Sequence, residues 1–272
     1  MMAELIDRRQ MKAEAREVLD RAQVPPGMMT LLYLGLTVVL GLVEALGGGV
    51  GLLSTFLTVL TNLLSAVLAA GFVLYCMAVR RGERAEYLTL FDGFSFAGKI
   101  ILLMIVEFIF ITLWAMLFVI PGVVAMYRYR FAMYNLCENP GVGVMEALAM
   151  SKRQTRGYKA QLFALDISFL GWDILAQLPT IYLTARATSI MTEMAFRGVL
   201  YVDVDAAMAQ AMAPLPFAAW QALISGWFVL VSVFYLARKT CVDLGYFETA
   251  KRTSGVGQGA APQIEDGGWN GL

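Results

Sequence analysis

The sequence predicts an all-α, polytopic helical membrane protein with six transmembrane helices and both termini in the cytoplasm. Three observations predict it. Hydrophobic residues make up 59% of the 272 residues and charged residues 15%, with a mean hydropathy of +0.66, whereas soluble domains average about 45–50% apolar and about 25% charged. The apolar residues fall in runs near the ~20 residues that cross a hydrocarbon core. Finally, Lys and Arg gather between alternate runs, which sets orientation through the positive-inside bias.

The elements follow in order. Residues 1–27 form an amphipathic basic helix, because Leu5, Ile6, Met11, Ala15, Val18, Leu19 and Ala22 share one helical face against Arg8, Arg9, Lys12, Arg16 and Arg21. Such a helix fits either an anionic leaflet or a docking groove on the protein. Pro25-Pro26-Gly27 ends it, and its length and acidic residues do not fit a cleaved signal peptide.

The membrane domain is expected over 28–250, as one unit, with spans at about 28–46, 52–79, 100–120, 123–137, 162–178 and 216–237. The run 47–51, four glycines and a valine, makes a flexible turn and lacks the Lys-Ser/Thr of a phosphate loop. Pro121-Gly122 closes the third span as a tight turn. A mixed segment with Arg186, Glu193, Arg197, Asp203 and Asp205 separates the last two spans, and 251–272 reads as a disordered tail.

The fourth span is short and carries Arg128 and Arg130, so hydropathy alone misses it. Charge restores it. If 123–137 crosses, 17 Lys and Arg lie inside against Arg186 and Arg197 outside; with five spans the basic segments fall on opposite faces.

Composition also excludes function classes. Lys plus Arg and Asp plus Glu are both 21, so no net basic field attracts nucleic acid. There is no His, which removes the commonest metal ligand and general base. Cys76, Cys137 and Cys241 are too few and scattered for a disulfide framework or metal site. Ser225-Gly226 therefore reads as small-residue helix packing rather than a nucleophile. No catalytic residue, metal or cofactor is expected.

The middle of the chain carries an ordered set of segments. Leu113-Trp114-Ala115-Met116-Leu117-Phe118-Val119-Ile120-Pro121-Gly122 is followed by Tyr127-Arg128-Tyr129, Asn139-Pro140, Ser151-Lys152 and Gly157-Tyr158-Lys159. The run from Leu162 to Trp172 completes it. Together these resemble the bacterial integral membrane protein family catalogued as domain of unknown function 975. The resemblance covers roughly 85–178, with a fainter echo in the N-terminal helix and around Tyr235 to Glu248. After Trp172 a longer segment, 179–215, replaces the short connection expected from the family. The resemblance implies a multi-pass protein of a bacterial plasma membrane and no established activity.

Ionisable residues inside spans cost about 2.5–3.5 kcal/mol near the bilayer centre and usually face the bundle interior. Glu107, Arg130 and Asp166 lie about 8–10 Å from the cytoplasmic ends of three different predicted helices. The expected cluster is Arg130 paired with Glu107 and Asp166, with Arg128 and Asp173 deeper. It is either a static lock between helices or a polar pathway for an ion, proton or small solute. Asp166 and Asp173, seven apart, share a helix face, but the Gly-x-Gly-Asp pattern of intramembrane aspartyl proteases is missing. Lys152, Arg153, Arg156 and Lys159 form a juxtamembrane cluster able to attract anionic lipid. The expected partner is the lipid bilayer. The expected role is a non-enzymatic envelope or lipid-associated factor, or the membrane subunit of an assembly; the alternative is a small transporter or channel.

Overall fold

A computed structural model describes residues 4–46, 51–197 and 204–257. The expected turn at Gly47 to Val50, Asp203 and the tail from 258 onward lie outside the described residues. Among the described residues the chain is helical throughout, without strands: α1 Arg8–Asp20, α2 Pro26–Leu46, α3 Leu52–Arg80, a 3-10 segment Tyr87–Phe96, α4 Ala97–Leu117, α5 Val119–Tyr129, α6 Ala132–Glu138, α7 Val144–Gln154, α8 Lys159–Phe196, α9 Val204–Met212 and α10 Phe217–Ser254. Five helical stretches are long and apolar enough to cross a membrane: Pro26–Ala45, Leu52–Arg80, Tyr87–Leu117, Lys159–Phe196 and Phe217–Ser254.

α8 and α10 each run 38 residues, about 57 Å at 1.5 Å per residue, well beyond a ~30 Å hydrocarbon core. The surplus of α10 lies at its C-terminal end. The buried residues of α10 concentrate between Val231 and Ala250 and those of α3 between Val67 and Val79. There α1, α6 and α7 wrap the long helices into a closely packed base. The other ends of α2, α3 and α10 expose Val39, Leu42, Leu53, Phe56 and Phe217, as a lipid-facing surface does.

α1 packs on the rest of the chain. The Asp7 side chain caps it by accepting from the Arg9 N–H at 2.8 Å, and Ala15 and Leu19 are buried. It packs on α10 and α3, and its long side chains reach α8: the Arg8 guanidinium donates to the Ala164 carbonyl, and Lys12 donates to the Ser168 carbonyl and stands 4.3 Å over the Phe169 ring. Partial burial, with Arg8 and Arg238 close by, holds the Lys12 ammonium below its ordinary pKa. On the far side the buried Arg80 guanidinium joins Glu14 of α1 to Glu248 of α10 and donates to the Cys241 carbonyl.

Glycines set the contact between α3 and the 3-10 segment. A Cβ on Gly71 would sit 1.8 Å from the Leu90 carbonyl oxygen, and one on Gly93 2.6 Å from that of Val67. The two backbones touch, which only glycine permits.

The region expected to hold the third and fourth spans is built differently. The chain reverses at Phe118, which is extended, so Pro121-Gly122 is not the turn but part of the first turns of α5. Proline is tolerated there because the first helical N–H groups have no intrahelical acceptor. Gly122 instead lets α5 close on α4, its Cβ position lying 2.8 Å from Ala115 Cβ. The expected single helix at 123–137 is divided: α5 stops at Tyr129 and α6 starts at Ala132. α5 has 11 residues, about 16 Å, half of a hydrocarbon core. The reversal is strongly exposed, with Met116 at 80% and Val119 and Ile120 at 77%. At the other end of the hairpin Lys99 donates to the carbonyls of Pro140 and Val142, so its entry and exit lie side by side.

The fifth expected span, 162–178, is the N-terminal half of a longer helix, since α8 continues through Pro179 to Phe196. In a membrane helix neighbouring groups can re-satisfy the carbonyl that proline leaves unbonded. α10 likewise passes 237 and 250, so the first residues of the expected disordered tail are helical, ending at Gly255 with φ +68° as a left-handed cap.

Candidate functional site

The break between α5 and α6 is where the charged residues meet. A helix that stops leaves carbonyls and N–H groups without partners. α7 supplies them: Ser151 Oγ donates to the Arg128 carbonyl at 2.9 Å and accepts from the Phe131 N–H at 3.1 Å, and Thr155 Oγ1 also donates to the Arg128 carbonyl. Asn135 and Gln154 exchange two amide hydrogen bonds at 2.8 and 2.9 Å. The break is therefore stabilised by fixed bonds, and it aims Arg130 sideways out of the hairpin.

Arg130 binds two carboxylates from two different helices. Its Nη1 and Nη2 donate to Asp166 of α8 at 2.6 and 2.9 Å, and its Nε donates to Asp243 of α10 at 2.9 Å. The Tyr127 hydroxyl donates to Asp166 at 2.8 Å and the Tyr134 hydroxyl to Asp243 at 2.7 Å. Each acid thus holds one tyrosine and the shared guanidinium. The bidentate pairing uses the planar fork of arginine, which lysine lacks. The Asp243 side chain is 7% exposed and that of Asp166 31%, so Asp243 is the drier anchor. Tyr134 is buried as well, and burial followed by the nearby Asp243 charge pushes its hydroxyl well above the ordinary tyrosine pKa.

Of the expected residues, Arg130 and Asp166 come together. Glu107 does not join them; it lies part-buried on α4 and makes no hydrogen bond or ion pair among the described residues. Successive helical residues point about 100° apart. Tyr129 packs its ring against Phe110 of α4 at 5.9 Å, so Arg130 turns away from α4 toward α8 and α10. Asp243 occupies the role expected of Glu107. The signal for it was present: an acid within Cys241-Val242-Asp243-Leu244-Gly245-Tyr246-Phe247, beyond the predicted end of the last span.

The other two expected members lie apart from this cluster. Asp173 accepts from Lys239 at 2.8 Å and from the Tyr235 hydroxyl at 2.8 Å, making a second tie between α8 and α10. Arg128 faces the opposite way, its guanidinium 5.6 Å over the Trp114 ring. It forms one wall of an open cavity of about 620 Å³ whose other charged walls are Lys152, Arg153, Arg156 and Lys159.

Among the described residues no cluster of His, Cys, Asp and Glu is placed to hold a metal ion. No curated protein and no solved structure matches the chain. The family described as a protein of unknown function (DUF975) matches residues 117–253, a stretch that runs from the hairpin reversal to the last turn of α10 and contains the whole Arg130 cluster. The chain belongs to that family.

Proposed function

We propose that the protein is a non-enzymatic, lipid-associated scaffold of a bacterial plasma membrane, acting in the envelope or as the membrane subunit of a larger assembly. The observation that carries this reading is the closure of the Arg130 cluster. Asp166 and Asp243 are both bonded to arginine and tyrosine, which suits a lock between helices. A pathway would need polar groups free to exchange a passing ion or proton.

In this reading α2, α3, α8 and α10 cross completely, and the α4–α5 hairpin supplies the remaining two of six membrane segments, entering and leaving on one side. The packed base faces the cytoplasm with both termini. Support comes from charge: the basic residues of α1, of 80–99, of 152–159 and of the end of α10 all belong to the base. α1, rich in charge, reaches α8 on either side of Asp166 through Arg8 and Lys12, which supports a cluster at the polar margin of the bilayer rather than in its centre.

The alternative, a small transporter or channel, is favoured by one residue, Glu107, a part-buried acid on a membrane helix without a partner among the described residues. Proteoliposomes containing the full chain and an internal pH dye separate the two. The scaffold reading predicts that an imposed proton gradient decays as in protein-free vesicles, both for the natural chain and for Glu107→Gln. A leak present in the natural chain and absent in Glu107→Gln would replace the scaffold with a conducting protein.

A further inference from the structure

The cavity walled by Arg128, Lys152, Arg153, Arg156 and Lys159 is not explained by the lock. No carboxylate lines it, and among the described residues none of its five cationic side chains makes an ion pair. Elsewhere the base pairs its cations freely, as with Arg80, Arg81, Lys239 and Lys251. Five like charges are thus held together by the fold against their mutual repulsion.

The holding is specific. Ser151 and Thr155 anchor the inner face of α7 to the Arg128 carbonyl, so Lys152, Arg153 and Arg156 are turned outward. Gly157, at φ +90°, then takes the sharp turn into α8 that places Lys159 beside them. A compact polyanion, a phosphate above all, fits such a bowl.

What surrounds the bowl identifies the source of the phosphate. Ala160 is on its rim, and the same face of α8 continues through Phe163, Ile167, Leu170 and Ile174, each 47–53% exposed, at the i, i+3, i+4 spacing of a single stripe. Phe163 meets the Tyr127 ring edge-on at 6.2 Å, next to Arg128. Positive charge at the end of an apolar stripe is complementary to an amphiphile, not to a free ion. We propose that the bowl binds the phosphate of an anionic phospholipid whose acyl chains lie along this stripe of α8. The proposal rests on the reading of the base as cytoplasmic and lipid-associated, and it names the lipid class and the site.

The test uses the purified full chain in a neutral detergent, titrated with phosphatidylglycerol and, for reference, with phosphatidylcholine of the same acyl chains, bound lipid being read by native mass spectrometry. Lys152, Arg153 and Arg156 are exposed, so changing all three to Gln is expected to leave the thermal midpoint unchanged. At about 1 kcal/mol per basic residue, phosphatidylglycerol affinity should fall about a hundredfold. The control changes Arg9, Arg16 and Arg84, also exposed and outside the lining of the bowl, to Gln and should alter affinity less than about twofold, since solvent and salt screen exposed charges that do not touch the ligand. An equal fall in the control would overturn the site, because net charge alone would then account for binding. Equal retention of phosphatidylcholine, or displacement of phosphatidylglycerol by millimolar inorganic phosphate, would overturn the lipid assignment. Because Arg130 is untouched in both variants, any of these failures leaves the scaffold reading to its own test.

Discussion

Arg130→Gln is expected to lower stability by about 3–5 kcal/mol, the cost of removing one partner from a buried charge network. The loss would be read as a drop in thermal midpoint and in folded yield from detergent. The substitution leaves two aspartates, one of them 7% exposed, without the guanidinium that neutralises both. Arg130→Lys should rescue little, because one ammonium cannot reproduce the fork that reaches Asp166 and Asp243 together. The two acids should also differ. Asp243→Asn, at the drier anchor, is expected to cost more than Asp166→Asn, whose side chain is 31% exposed and has water within reach. Equal and small losses in all these variants would mean that the cluster does not hold the base together.

The second large effect is expected at Gly71. Gly71→Ala places a methyl group 1.8 Å from the Leu90 carbonyl oxygen, and neither of the two backbones can yield as a side-chain end would. Overpacking of this kind costs about 1–3 kcal/mol and occasionally more; a rigid backbone contact belongs at the upper end. The 3-10 segment that leads into the hairpin would be pushed off α3, so proteolysis between Arg84 and Lys99 should accelerate with the stability loss. Gly98→Ala is the matched control. It also lies in a helix, its Cβ would meet nothing within 4 Å, and replacing a helical glycine by alanine is neutral to favourable. An unchanged thermal midpoint in Gly71→Ala would contradict the close approach.

These residues also show which parts of the architecture are legible in a sequence. Apolar length and composition give the helical membrane class directly, and the basic segments identify which helix ends share a face. Arg130 and Asp166 are recognisable as partners because each interrupts an apolar helix at a similar distance from a basic boundary. The helix bounds are less legible because hydropathy reports where lipid contact ends, not where hydrogen bonding ends. α8 and α10 continue as helices well past their apolar cores, α10 carrying Asp243 into the base. Glu107 was expected in that place because position along a helix is easier to infer than direction around it. The contact of Tyr129 with Phe110 decides the direction, and it is tertiary. The division at Arg130 has the same origin: the sequence 123–137 is continuous in helix-forming residues, and only Ser151 and Thr155, more than twenty residues later, make a break there favourable. The family match starts at 117, later than the resemblance expected from about 85, and extends beyond it to 253 through the long segment 179–215.

In the proposed topology the hairpin returns to the side from which it enters, so that the locked base and its basic bowl form one cytoplasmic surface. This topology is tested most directly by single cysteines at Arg84 and at Asn139, both exposed, treated with a membrane-impermeant maleimide in sealed vesicles of known orientation. The natural thiols of Cys76, Cys137 and Cys241 are buried, and burial pushes that of Cys137 up to about 12, so the folded chain gives a low background. Positions 84 and 139 are expected to be labelled together, from the cytoplasmic face only. Labelling of 139 from the opposite face to 84 would separate the two ends of the hairpin and contradict this topology.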